Sequence, residues 1–300
     1  MELDSQLELK QAEFTIPGRE FAQSSGIKSI LLHVQDEGSL DERLENALSL
    51  ARACSAHLTL LQVTPIEAYV AFDGFGGVFV MNDVIKALDQ SVQDLRARAE
   101  SRLLGEDVSW DYEQVTGNVE SHIVGRAALC DLIVTGRTPA RSDFSSTVIG
   151  VLGDLISRSR TPLFIPAEGG KPCDPSGAAV IAWDGSYEAA NAVRSSLGLL
   201  KISSDVRVVR VEEKEERFPS TRLLEYLSRH GIHAELSVET AGPDTDDPYF
   251  VSCILMERAR ELNGYLVMGG YNHSRIGEYI FGGVTRTLLS GSIVPLVIAR

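Results

Sequence analysis

One feature limits what this chain can fold into more than any other: it contains the same segment twice. DLIVTGRTPARSDFSSTVIGVLGDLISRSRTPLFIPA, residues 131–167, lies on GYLVMGGYNHSRIGEYIFGGVTRTLLSGSIVPLVIAR, residues 264–300, without a gap. Gly136 falls on Gly269, Gly150 on Gly283 and Pro162 on Pro295. The openings of the two copies agree in pattern. In KSILLHVQDEGSLDERLENALSLARACSAHLTLLQV an apolar run from Ile30 to Val34 leads into a polar turn. Leu40, Leu44, Ala47, Leu48, Ala51 and Cys54 then follow at helical spacing, and LTLLQV restores strand character. AAVIAWDGSYEAANAVRSSLGLLKISSDVRVVRVEE repeats that order, with a strand to Trp183, an Asp-Gly-Ser turn, a helix, and a strand from Val206 to Val211. Ser39 with Glu42 three residues on has the pattern of a capping box, which satisfies free N–H groups at a helix start.

Short apolar strands alternating with amphipathic helices predict, for each copy, an α/β domain whose mostly parallel sheet is covered by helices on both faces. Between the copies, AEGGKPCDPSG concentrates Gly, Pro, Asp and Ser and reads as a linker with no face to bury. The expected domains are 27–167 and 177–300, and a length of 300 residues suits two domains better than one. The copies differ in their middles. The first inserts TPIEAYVAFDGFGGVFVMNDVIKALDQ after its second strand, and the second carries the acidic ETAGPDTDDPYFVSC after its third. Both are candidates for flaps over the sheet.

Composition removes several classes of function. A net charge of -14 repels phosphate backbones and anionic surfaces, so neither nucleic acid nor a membrane is an expected partner. No stretch approaches the roughly 18 to 20 apolar residues of a spanning helix, and MELDSQLELKQAEF lacks the basic-then-apolar order of a signal peptide. A cytoplasmic location is expected. Cys54, Cys130, Cys173 and Cys253 form no CxxC pair, which points to buried thiols rather than zinc or disulfides.

In an open parallel sheet, ligands bind beyond the carboxyl ends of the strands where the strand order reverses. In the second copy that places WDGS, Trp183 to Ser186, opposite the loop from Gly269 to Thr285. The AWDGS opening, the MGGYNHSR and GGVTRTLL segments, the proline before each final strand and the duplication together resemble the universal stress proteins in tandem form, from Lys28 to Arg300. The resemblance implies two Rossmann-like, adenine nucleotide alpha hydrolase-like domains, each with a five-stranded sheet. It also implies a non-catalytic module of stress adaptation.

Nucleotide-holding members show a pattern G-x2-G-x9-G-[ST], whose glycines admit phosphates to a helix start that carries unpaired N–H groups and partial positive charge. On the second copy the four positions are Gly269, Asn272, Gly282 and Gly283. Asn is the least costly replacement where positive φ is needed, and Gly283 keeps its N–H while losing a hydroxyl. Gly270 and Thr285 belong to the same candidate loop, with His273, Ser274, Arg275 and Thr287 as further polar neighbours. The resemblance assigns Asp184 to the adenine or ribose of an ATP or AMP ligand. An Asp before Gly-Ser is equally a turn or cap residue. Val209 is the candidate apolar wall for a base, or simply core.

The first copy departs further, with Pro139, Ile149 and Gly150 following Gly136, and Gln35, one step from Asp36, standing where Asp184 stands. Pro139 offers no N–H and Ile149 blocks close approach, so no phosphate site is expected there. No catalytic motif assembles. His230 and His233 are separated by Gly231 at an expected helix end, Asp244 to Pro248 lacks the Gly and Glu of a calcium loop, and no Walker Lys follows the glycines. No metal is expected. A ligand-free scaffold is the alternative reading. In either case the terminal strands VPLVIAR and TPLFIPA are expected to pair, giving an intramolecular pseudo-dimer about a pseudo-two-fold axis, with a further homodimer left open.

Overall fold

A computed structural model describes residues 25–35, 39–69, 71–72, 78–79, 82–137, 150–167, 169–211, 218–239, 248–270 and 282–300. In the first half the elements run β1 (Ser29–Val34), α1 (Leu40–Cys54), β2 (His57–Pro65), a 3-10 turn (Ile66–Tyr69), β3 (Ala71–Phe72), β4 (Val78–Phe79), α2 (Asn82–Leu103), β5 (Trp110–Gly117), α3 (Val119–Ala127), β6 (Leu132–Val134), α4 (Gly150–Arg158) and β7 (Leu163–Ile165). In the second they run β8 (Ala178–Ala182), α5 (Tyr187–Ser195), α6 (Leu197–Leu200), β9 (Asp205–Val211), α7 (Ser220–Arg229), β10 (Ala234–Glu239), α8 (Pro248–Glu261), β11 (Tyr265–Gly269), α9 (Gly283–Gly291) and β12 (Leu296–Ala299).

Ten of these strands form one sheet in the order β10-β9-β8-β11-β12-β7-β6-β1-β2-β5, and β3 pairs with β4 in a small antiparallel ribbon. Read from each half's own first strand, both sets of five follow the same order, with the first strand beside the fourth. All pairs within each set of five are parallel. The halves join where β12 runs antiparallel to β7, Val297 opposite Phe164. The order of side-by-side strands therefore reverses twice, between β8 and β11 and between β1 and β6, and each reversal opens a crevice at the carboxyl edge.

Strands buried on both faces account for the continuous apolar runs. Ile30, Leu32 and Val34 of β1 share a core with α1, α2, α5 and α7, whereas Leu31 shares the other with α3, α4, α8 and α9. The repeat is legible down to single hydrogen bonds. Pro162 O accepts from Ile133 N and Pro295 O from Leu266 N, both at 2.9 Å. Ser159 and Ser292 each fold their hydroxyl back on the residue two further along, Thr161 and Val294.

Two local expectations are corrected. Ser39 is the N-cap of α1, but with φ -96° and ψ 8° its side chain makes no capping bond, so the capping box does not form. Glu42 instead accepts from Gly169 N at 3.3 Å. The segment joining the halves is also pinned rather than free. Asn46 Oδ1 accepts from Cys173 N at 2.9 Å, Ser49 Oγ donates to Cys173 O at 2.7 Å, and Cys173 is buried, its thiol pushed up to about 12 by burial.

Candidate functional site

The turn after β8 is built by three successive residues. Asp184 Oδ1 accepts from Ser186 N at 3.0 Å, Gly185 takes the left-handed φ of 70°, and Ser186 caps α5 by accepting from Ala189 N at 3.1 Å. That cap contributes about 1 kcal/mol. Asp184 is exposed, so the turn presents a carboxylate at the crevice mouth. Trp183, by contrast, points inward at 5% exposure, and its Nε1 donates to Phe218 O at 3.3 Å while Phe218 N donates to Gly185 O at 3.1 Å. Phe218 also meets Tyr187 edge-on with ring centroids 4.8 Å apart, which ties the approach to α7 onto the start of α5.

Across the crevice, the glycines of the loop have different tasks. A Cβ on Gly269 would stand 2.6 Å from Glu188 C and 2.7 Å from Ala189 N, so this glycine lets the first turn of α5 pack on the end of β11. A Cβ on Gly270 would stand 2.7 Å from Ile156 Cγ2, a contact between the halves, and its N–H donates to Ala299 O at 2.8 Å. A Cβ on Gly283 would run 2.4 Å from the Pro248 ring. The position where the pattern has Ser or Thr is thus occupied by the start of α8, which Ser252 knits down by donating to Pro248 O at 2.7 Å.

Gly282 differs from these three, since among the described residues nothing lies within 4 Å of its Cβ direction. It is the N-cap of α9, with φ -56° and ψ 151°, and supplies no capping side chain to the N–H groups behind it. Thr285 is 7% exposed and Thr287 Oγ1 donates to Gly283 O, so neither hydroxyl replaces the one lost at Gly283. Val209 is 2% exposed in the core shared with Val251 and Leu255. Asn272, His273, Ser274 and Arg275 lie outside the described residues, as do Asp36, Pro139 and Ile149.

The equivalent crevice of the first half holds an arginine. Arg43, the fourth residue on from Ser39, is 1% exposed and donates to His33 O at 3.2 Å and Gln35 O at 3.4 Å. A Cβ on Gly136 would meet its Nε, Cδ and Cζ at 3.0 to 3.1 Å. The fourth residue on from Ser186, the matching position of α5, is Ala190, which packs against the core. Burial, aided by the Arg43 charge, lowers the pKa of His33 to about 3, and its imidazole is neutral near pH 7.

Sequence reading missed Arg43, Phe218 and Pro248. Arg43 carried a signal, because it is spaced with Leu40 and Ala47 on the apolar stripe of α1, where a charged residue has to be paired or functional. Phe218 and Pro248 carried none, since their roles arise from long-range contact. Among the described residues, His230 ends α7 and Gly231 turns with φ 75° before β10, no group of three potential metal ligands occurs, and no helix is long and apolar enough to cross a membrane.

No protein-family model and no curated protein matches this sequence. Solved structures do match its fold. A universal stress protein from Archaeoglobus fulgidus DSM 4304 superposes with a TM-score of 0.69 over 91% of this chain and 96% of its own, at 16% identity. A putative universal stress protein from Pseudomonas aeruginosa UCBPP-PA14 gives 0.54 over 92% and 94%, again at 16% identity. A functionally unknown protein from Pseudomonas aeruginosa PAO1 gives 0.53 over 92% and 93%, also at 16%. Full-length coverage, with the doubled strand order, shows that this chain has the fold of the universal stress proteins.

Proposed function

We propose that this chain is a tandem universal stress protein of the cytoplasm, a non-catalytic module of stress adaptation whose two domains, 27–167 and 177–300, are unequal in ligand binding. The second domain holds an adenine nucleotide, ATP or AMP, with its phosphates at the start of α9 and its adenine or ribose near Asp184. The first holds none, because Arg43 occupies its crevice. The antiparallel pairing of β7 with β12 supports an intramolecular pseudo-dimer.

The observation that carries this reading is the helix start at Gly282, next to the strand reversal, which no side chain of Gly282 caps and no other described residue fills. The fourth glycine position is narrowed by Pro248, so the phosphates rest on backbone N–H groups without a hydroxyl. Isothermal titration of the full chain with ATP, ADP and AMP tests it. Saturable heat is expected, at least tenfold weaker in Gly282→Asp, whose carboxylate fills the phosphate position, and weaker in Asp184→Ala. No heat with any nucleotide would leave the fold acting as a ligand-free interaction module.

A further inference from the structure

A second cluster of chemistry lies at the amino ends of β2 and β5, away from both crevices. The two strands are parallel and in register, Leu58 beside Trp110 and Thr59 beside Asp111. Alternation therefore puts His57, Thr59, Ser109 and Asp111 on one face. His57 Nδ1 is hydrogen-bonded to Ser109 Oγ, and its Nε2 to Asp111 Oδ1 at 3.0 Å. A carboxylate on Nε2 keeps the ring proton there and leaves the Nδ1 lone pair for the serine hydroxyl. Burial works against the charge on Asp111, yet hydrogen bonds from His57 and Thr59, with the Arg126 charge, hold its carboxyl below the usual range.

Ser109 and His57 face a cavity of about 540 Å³ whose wall includes Lys28 and Arg52. Arg52 is engaged by Glu106 and Asp107. Lys28 Nζ is held over the end of α1 by Cys54 O at 3.0 Å and Ser55 O at 3.4 Å, which fixes a positive charge on the wall.

We propose that Ser109, His57 and Asp111 form a hydrolytic site for small carboxylic esters. Ser109 Oγ bonds to the ester carbonyl carbon as its proton passes to His57 Nδ1, and Asp111 balances the imidazolium. The oxyanion faces the Lys28 ammonium. Its collapse breaks the bond to the leaving alcohol, which takes the proton from His57. Water then attacks the acyl-serine by the same route, releasing the acid and restoring the hydroxyl. This site is independent of the nucleotide reading, and it confines the non-catalytic description to the two crevices.

The test uses the full chain and a fluorophosphonate probe, which forms an Oγ–P bond with loss of fluoride, followed by intact-mass measurement and peptide mapping. Labelling is expected on Ser109, absent in Ser109→Ala, and about 100-fold slower in His57→Gln, the lower range for removal of a general base. Ser101→Ala, on the exposed side of α2, labels as wild type. Ser109 is exposed and the His57 side chain is 43% exposed, so Ser109→Ala and His57→Gln are expected to retain the wild-type melting temperature. Ser109 left unmodified, or modified equally fast in His57→Gln, overturns the proposal.

Discussion

Two glycines of one loop make opposite predictions, and the contrast tests how the candidate site is built. In Gly269→Ala the new methyl group points at the backbone of α5, with Glu188 C at 2.6 Å and Ala189 N at 2.7 Å. Ordinary contact begins at 3.4 Å, so α5 has to retreat by roughly 0.8 Å, and no rotamer change can help because the obstacle is main chain. The retreat loosens Ala189, Ala192 and Val193, all buried. Overpacking of this kind costs about 1 to 3 kcal/mol. Gly282→Asp should do the reverse. Its Cβ meets none of the described residues and sits at an extended φ and ψ, its side chain can cap α9, and a negative charge at a helix start contributes about 0.3 to 1 kcal/mol. Urea unfolding of both variants, with unchanged slope, gives the comparison. Equal midpoints, or a larger loss in Gly282→Asp, would refute the division of the loop into a packing glycine and an open one.

The clash between position 283 and Pro248 predicts coupling: Gly283→Ser alone destabilises by about 1 to 3 kcal/mol, Pro248→Gly, which removes both ring carbons at 2.4 Å, relieves most of it, and a double-mutant cycle in thermal denaturation reads the interaction. His33 predicts a pH dependence. With a native pKa of about 3 against 6.5 for the free side chain, the unfolded chain binds a proton that the native state refuses, so stability is full above pH 6.5 and falls as pH drops toward 3. His33 Nδ1 is buried without a hydrogen-bond partner among the described residues, so His33→Leu should match wild type at pH 7 and exceed it by a few kcal/mol near pH 4. Denaturation midpoints at the two pH values check this, and a parallel decline in both proteins would refute it.

The doubled segment made the architecture legible because hydrophobic burial repeats with the period of the element. Strands buried on both faces wrote continuous apolar runs, and helices covering a sheet wrote stripes, as in Ile30 to Val34 and Leu40 to Cys54. The pairing of β7 with β12 was legible for a different reason, since a short apolar strand ending each copy leaves an edge to cover. What failed was chemistry that depends on a neighbour not yet placed. Ser39 and Glu42 had the spacing of a capping box, but Gly169 lies within reach of Glu42 and the backbone of Ser39 is turned away from capping geometry. The joining segment looked free by composition, while α1 supplied Asn46 and Ser49 to hold Cys173.

The candidate site divides along the same line. Asp184, Gly185 and Ser186 could be read locally because an Asx turn and a helix cap involve residues three apart. The glycines could not, because a glycine signature records only that a side chain is missing. The reason lies in what approaches: α5 at Gly269, Ile156 at Gly270, Pro248 at Gly283, and none of the described residues at Gly282. The two crevices then diverge through α1 and α5 rather than through the glycine loops alone. A guanidinium four residues past one helix cap occupies the first crevice, and the matching helix position in the second half is Ala190. A buried cation costs several kcal/mol unless carbonyls or carboxylates compensate it, and the carbonyls of His33 and Gln35 at the end of β1 do part of that. The carboxyl edge of the first half thereby receives a guanidinium of its own chain.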